Sequence, residues 1–145
     1  MFAEMYPYEV RALVLDSPFC TLSKVVEKIA IHETSLPLFI LKPVLYLVKK
    51  KAEKEAQHEI FSINYLTFMK KLSPKLPILF IFSHNDEIVP SEDVFNLFNA
   101  HQGPKDLYQI YETHDEDRKE ELFKQGLFWL RRKTKYVEEK NKKIY

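Results

Sequence analysis

The hydrophobic pattern of the chain is organised around an unbroken apolar run, Ile78 to Phe82, with Pro77 before it and polar residues after it. An all-apolar strand is buried on both faces, which is typical of a parallel sheet covered by helices. Two further runs, Val10 to Leu15 and Asp106 to Tyr111, have the composition of strands. The pattern therefore predicts a sheet of about three parallel strands.

Helical patterns fill the intervals between these strands. Thr21 or Ser23 can cap the first full helix, and acidic residues follow Ser91 at the start of a later one. The alternation of strands and helices indicates an α/β fold with right-handed crossovers. The predicted helices are the end of one stopped near Pro7, Lys24 to His32, Pro37 to about Gln57, Asn64 to Leu72, Ser91 to before Gly103, and about Glu116 to Arg132.

Two of these helices have a distinct predicted apolar face. The helix from Pro37 differs, because its first half is apolar and aromatic and its second half is rich in lysine. The faces expected to be buried are Val25, Val26, Ile29 and Ala30 in the first full helix, and Leu122, Phe123, Leu127, Phe128 and Leu130 in the last.

Length and composition place the chain among single globular domains. It has 145 residues, 46% of them hydrophobic, and a formal charge of +1, which argues against general nucleic-acid binding. Cys20 is the only cysteine, so an internal disulfide is excluded and a reducing compartment is favoured. The apolar run Leu36 to Val48 is shorter than the roughly 20 residues that span a bilayer. We expect a cytoplasmic protein.

Glycine usage excludes several kinds of site from this sequence. Gly103 and Gly126 are the only glycines. Nucleophile elbows, P-loops and dinucleotide-binding turns all require glycine, for positive φ or for close backbone approach to a phosphate. None of these motifs is present in the 145 residues.

Polar residues with catalytic potential follow the second and third predicted strands. Asp86 comes just after the central apolar run, and His114 comes just after the last strand. A catalytic imidazole needs a carboxylate that fixes its tautomer, and acid before histidine is the later part of the Ser…Asp…His order. Equally, Asp86 could cap the following turn, and an isolated histidine is more often a surface residue. We predict that the two side chains meet at one edge of the sheet.

Other residues have weaker claims to chemistry. His84, Asp86 and His114 could form a metal cluster, but no metal-binding spacing such as H-E-x-x-H occurs. Cys20 has no neighbour in the sequence that would lower its pKa. Ser17 stands at a strand end without the glycines of an elbow, which favours a turn former. We therefore expect no metal and no cofactor.

Three motifs together resemble the carboxyl-terminal half of an α/β hydrolase. They are V-L-D-S-P-F (Val14 to Phe19), H-N-D-E-I-V-P (His84 to Pro90) and T-H-D-E-D-R (Thr113 to Arg118). The branch they resemble is the serine aminopeptidase-like and bud-emergence-protein-like group, which includes enzymes that remove palmitate from proteins. The resemblance covers Val10 to about Arg132.

The resemblance implies a partial α/β-hydrolase fold of about three parallel strands with flanking and cap helices. Asp86 would be the catalytic acid after the seventh strand of that fold, and His114 the base after the eighth. Residues 1–133 would form the carboxyl-terminal part of the domain, with cap-like helices at about 22–57, and residues 134–145 a charged tail.

The sequence also departs from the family pattern. Ser83 and Thr113 stand where family members usually have glycine, near the acid and just before the histidine. The nucleophile elbow of the family precedes the helix that is predicted to end near Pro7. We therefore expect this chain to lack the nucleophile, the strands before it and the oxyanion-hole loop.

The leading expectation is a serine hydrolase acting on an acyl or peptidyl substrate through ester, thioester or amide hydrolysis, present here without its nucleophile. One alternative is a non-catalytic interaction module, which could self-associate through an open sheet edge. Another is a peripheral membrane-binding domain that uses the helix from Pro37 and the basic tail.

Overall fold

A computed structural model describes residues 10–142, and their side chains as far as Thr134. The helix end predicted near Pro7 lies outside the described residues, as do residues 143–145. The described elements, in order, are β1 (Leu13–Asp16), α1 (Leu22–Thr34), α2 (Leu38–Ala56), a 3₁₀ turn (Ile60–Ser62), α3 (Tyr65–Lys71), β2 (Ile78–Ser83), α4 (Ser91–Ala100), β3 (Lys105–Ile110) and α5 (Glu120–Lys142).

The three strands form one parallel sheet in the order β1-β2-β3. Leu13 pairs with Ile78, and Ile78 pairs with Lys105 on its other side. All six residues of β2 are buried, as predicted for a central apolar strand. The predicted fold class, three parallel strands with flanking helices, is confirmed.

The side chains of β2 alternate between two cores on opposite faces of the sheet. Ile78, Phe80 and Phe82 belong to the larger core, together with Val94 and Leu97 of α4. The second core contains Leu79, Ile81 and Ile110 against Leu122 and Trp129 of α5. This alternation has the period of two expected for a strand. The carboxyl ends of all three strands therefore emerge at one edge, between two helical layers.

The predicted buried face of the last helix is wrong in part. Leu122 and Trp129 pack against the sheet, whereas Phe123, Leu127 and Phe128 are 62%, 56% and 64% exposed. A sheet of three described strands is narrow, so it covers only the residues on one line of the helix. The helix also continues to Lys142 rather than ending near Arg132, since no glycine or proline follows Gly126.

The two helices predicted as a cap are present but bury less than expected. Val25 of α1 is buried, whereas Ile29 is 41% exposed. In α2 only Leu41 and Leu45 are buried, although the first half of that helix is strongly apolar. None of the helices in the described ranges is long and apolar enough to cross a membrane.

Candidate active site

Asp86 and His114 meet at the carboxyl edge of the sheet. β2 ends at Ser83 and β3 ends at Ile110, and the two segments that follow converge because neighbouring parallel strands end on the same side. Nδ1 of His114 lies 2.9 Å from Oδ2 of Asp86. The predicted meeting of these two side chains is therefore observed.

The carboxylate of Asp86 also caps the turn that follows it. Its Oδ1 accepts hydrogen bonds from the backbone N–H groups of Ile88, at 2.9 Å, and Val89, at 2.8 Å. The sequence left two interpretations of Asp86, a turn cap and a partner of histidine. Both are correct, because one carboxylate oxygen caps the turn and the other contacts His114. Only 1% of the side chain is exposed.

The environment of Asp86 favours its ionised form. Burial by itself raises the pKa of this carboxyl, but the hydrogen bonds from His114, Val89 and Ile88 together outweigh burial and hold the pKa below its usual value. Because the carboxylate is ionised at neutral pH, Nδ1 of His114 carries a proton and donates it. In the neutral imidazole the lone pair then lies on Nε2, which is free in chemical terms to accept a proton.

The loop that carries His114 is held by polar side chains from the end of β2. The hydroxyl of Ser83 donates to the carbonyl of Glu112, and the amide of Asn85 donates to the carbonyl of Tyr111 at 2.6 Å. The side chain of Ser83 therefore joins the end of β2 directly to the loop. Neither contact was predicted from the sequence, where the one available signal was the polar character of the strand end.

A second connection joins the same loop to β1. Arg118 donates from Nε to Oδ2 of Asp16 at 2.9 Å and from Nη1 to the carbonyl of Thr113 at 3.0 Å. No role was predicted from the sequence for Arg118 or Asp16. Asp16 lies in the motif V-L-D-S-P-F at the end of a strand, and Arg118 lies in T-H-D-E-D-R after His114. These positions were the features of the sequence that could have indicated a role.

An open cavity of about 870 Å³ lies between the end of β1 and the His114 loop. Its walls combine the polar groups of the site with apolar side chains, as is usual in sites for small molecules. The walls include Asp16, Ser17, Phe19, Val89, His114 and Phe123.

The surroundings of Ser17 and Cys20 favour structural roles rather than nucleophilic ones. Ser17 has a φ of 45° just after β1, and its hydroxyl donates to Oδ1 of Asp16 at 3.2 Å. Cys20 is buried, and burial together with the charge of Asp93 raises the pKa of its thiol to about 11. The thiol therefore stays protonated at neutral pH, which disfavours it as a nucleophile.

His84 does not join the Asp86–His114 pair. It is exposed, and its ring lies beside that of Tyr111 with centroids 6.3 Å apart. Across the part of the chain that the structure describes, no group of three or more histidine, cysteine or acidic side chains is arranged to hold a metal ion.

Comparison with protein-family models and with curated sequences finds no match. Two solved structures are similar to the chain. Acetyl xylan esterase 1 from Thermoanaerobacterium sp. is 22% identical, with a TM-score of 0.54 over 88% of this chain and 40% of its own. MGS-MChE2, an α/β hydrolase from a metagenome of lagoon sediments of Mar Chica, Morocco, is 21% identical, with a TM-score of 0.54 over 90% of this chain and 54% of its own.

The chain has a partial α/β-hydrolase fold. It spans 40% and 54% of the lengths of these two enzymes. In an α/β hydrolase the triad residues follow the order Ser…Asp/Glu…His along the chain, at the carboxyl ends of the strands. Asp86 and His114 follow two consecutive strands of this partial fold.

Proposed function

We propose that this chain supplies the acid and the base of a serine hydrolase. The observation that carries the proposal is the 2.9 Å contact between His114 and Asp86 at the carboxyl edge of a partial α/β-hydrolase sheet. The nucleophilic serine lies on a polypeptide segment outside these 145 residues. We infer this because a nucleophile elbow requires glycines two positions before and after the serine. Neither Gly103 nor Gly126 stands two positions from a serine.

The division of labour follows from the tautomer of His114. Nε2 accepts the proton of the attacking serine, and the ring then carries a positive charge that the carboxylate of Asp86 stabilises. The protonated Nε2 afterwards gives its proton to the leaving alcohol, thiol or amine. The acyl-enzyme is hydrolysed by a water molecule that the same nitrogen activates.

The substrate class is an acyl ester, thioester or amide. The esterase among the similar structures supports ester chemistry, and the three motifs that resemble the serine aminopeptidase-like and bud-emergence-protein-like branch extend the class to thioester and peptide bonds. Phe19, Val89 and Phe123 give the cavity beside His114 apolar walls that favour an acyl group.

The proposal is tested with a fluorophosphonate probe, which labels activated serines. The 145-residue chain should stay unlabelled, and the native polypeptide, isolated at its natural size from its own cells, should be labelled at a serine outside this sequence. Mass spectrometry of the labelled peptide identifies the serine. Labelling of the 145-residue chain at Ser17 or Ser83 would contradict the proposal, as would an unreactive native polypeptide.

A second function, peripheral membrane binding, is favoured by the exposed side of α2. Phe39, Tyr46 and Leu47 are 73%, 63% and 66% exposed over the first turns. Exposed lysines follow in the same helix, so one surface combines apolar side chains with positive charge. Such a helix suits the interface of a membrane with anionic lipids.

Co-sedimentation with vesicles of phosphatidylserine and phosphatidylcholine tests this second function. The chain should bind anionic vesicles at low salt, and Phe39→Ser with Leu47→Ser should abolish binding. Phe123→Ser is the matched control, since Phe123 is 62% exposed on a different helix. Equal loss with the control variant, or binding to neutral vesicles alone, would refute it.

A further inference from the structure

The loop from Tyr111 to Lys119 places His114 without the help of regular secondary structure. Ser83 and Asn85 bind the carbonyls of the first two residues of this loop, Glu112 and Tyr111. The carbonyl of Thr113, which is bonded directly to the backbone nitrogen of His114, accepts a hydrogen bond from a different side chain.

Arg118 is that donor. Its Nη1 donates to the carbonyl of Thr113 at 3.0 Å. The opposite side of the guanidinium faces the end of β1, where Nε donates to Oδ2 of Asp16 at 2.9 Å and Nη2 approaches Oδ1 at 3.4 Å. Nη2 also lies 3.4 Å from the hydroxyl of Ser17. Arg118, which is 102 positions after Asp16, therefore joins the end of β1 to the carbonyl of Thr113.

The shape of the arginine side chain is essential to this connection. A guanidinium is planar and carries five N–H donors in a rigid fork, so it can bind a carboxylate on one side and a carbonyl on the other. The compact ammonium group of a lysine cannot reproduce that fork. The side chain of Arg118 is only 14% exposed, which reduces screening of its charge by water.

We infer that Arg118 is a positioning residue for His114. It fixes the peptide group between Thr113 and His114 relative to β1, and that peptide group directs the imidazole toward Asp86. The inference deepens the proposed function and rests on it for its catalytic meaning. It makes the orientation of the base depend on Asp16, which lines the same cavity.

Nuclear magnetic resonance of the 145-residue chain, uniformly labelled with ¹⁵N, tests the inference without any nucleophile. The Nδ1–H proton of His114 should give a protected resonance because it is bonded to Asp86, and His114→Ala assigns that resonance by removing it. Arg118→Ala should abolish the resonance while the amide signals of β2 persist. Arg118→Lys should fail to restore it.

Asp16→Asn provides a second route to the same result, since it weakens the anchor of Arg118 without changing the loop. Lys124→Ala is the matched control, because Lys124 forms an ion pair with Glu120 at 3.0 Å on the exposed side of α5. The control should leave the resonance unchanged.

Persistence of the resonance in Arg118→Ala and Asp16→Asn would overturn the inference. Unfolding of both variants would overturn it too, since a role confined to the loop leaves the sheet intact. A persistent resonance together with a probe-reactive native polypeptide would refute the positioning role and leave the proposed hydrolase standing. A lost resonance with an unreactive native polypeptide would support the positioning role and refute the proposed hydrolase.

Discussion

Nδ1 of His114 lies 2.9 Å from Oδ2 of Asp86, although the two residues are 28 positions apart in the chain. The contact depends on two strands that run parallel and end at the same edge. The second carboxylate oxygen is bound by two backbone N–H groups, so both oxygens of the carboxylate are held in place. Such fixed orientation is what a catalytic acid–base pair requires.

The stability of the chain should depend on pH through Asp86. The folded pKa of this carboxyl is lower than its unfolded pKa, which is about 3.9, so its stabilising effect is present above the unfolded value and is lost as pH falls through the folded value. Asp86→Asn should remove that effect. Urea unfolding at pH 7 and at pH 3 should show a larger stability difference between wild type and variant at pH 7.

The opposite dependence, or equal differences at both pH values, would show that the carboxylate is not preferentially ionised in the folded state. Glu33→Gln serves as the control, because Glu33 is an exposed carboxylate at the end of α1 and should change the pH dependence little.

The two glycines should respond to alanine in opposite directions. A Cβ at Gly103 would lie 2.6 Å from Nε2 of His101 and 2.9 Å from the carbonyl oxygen of Leu76, so Gly103→Ala should destabilise by about 1–3 kcal/mol. A Cβ at Gly126 would meet nothing within 4 Å, and Gly126→Ala should stabilise α5 by roughly 0.5–1 kcal/mol. Urea denaturation measures both changes, and a neutral Gly103→Ala would refute the close packing.

The free side of β1 should cause self-association. Within the described residues β1 pairs with β2 alone, and an open apolar strand tends to recruit other strands. The N–H groups of Leu13 and Ser17 point to β2, so that of Val14 points away. Val14→Pro should therefore lower the average mass seen by light scattering without breaking the β1–β2 ladder.

A wild-type chain that stays monomeric at high concentration would contradict this prediction. Leu15→Pro is the informative comparison, because it removes an N–H on the β2 side and should instead destabilise the fold.

The sheet and the contact between Asp86 and His114 could be predicted because their signals are local. A strand made only of apolar residues, such as Ile78 to Phe82, is expected to be buried on both faces. Polar residues that follow two neighbouring parallel strands lie at the same edge of the sheet. Two of the groups that stabilise buried Asp86, the N–H groups of Ile88 and Val89, are close to it in sequence, so a turn cap could be predicted as well.

Other features depend on distant parts of the chain and left no such pattern. The bond between Arg118 and Asp16 joins residues 102 positions apart, and charged residues at loop ends are common in any sequence. Phe123 and Leu127 on α5 are exposed because the sheet beneath them is narrow, and helical periodicity does not encode the width of a sheet. The apolar face of α1 was likewise overestimated, because Ile29 is 41% exposed.

The reaction of the native polypeptide with a fluorophosphonate probe tests the central claim most directly when His114→Ala is compared with His84→Ala. His84 is a matched control, since it is an exposed histidine near the same strand ends and does not contact Asp86. His114→Ala should slow labelling on the order of 10⁴-fold or abolish it, as comparable triad lesions do, whereas His84→Ala should label at the wild-type rate. Full labelling of His114→Ala would contradict the account.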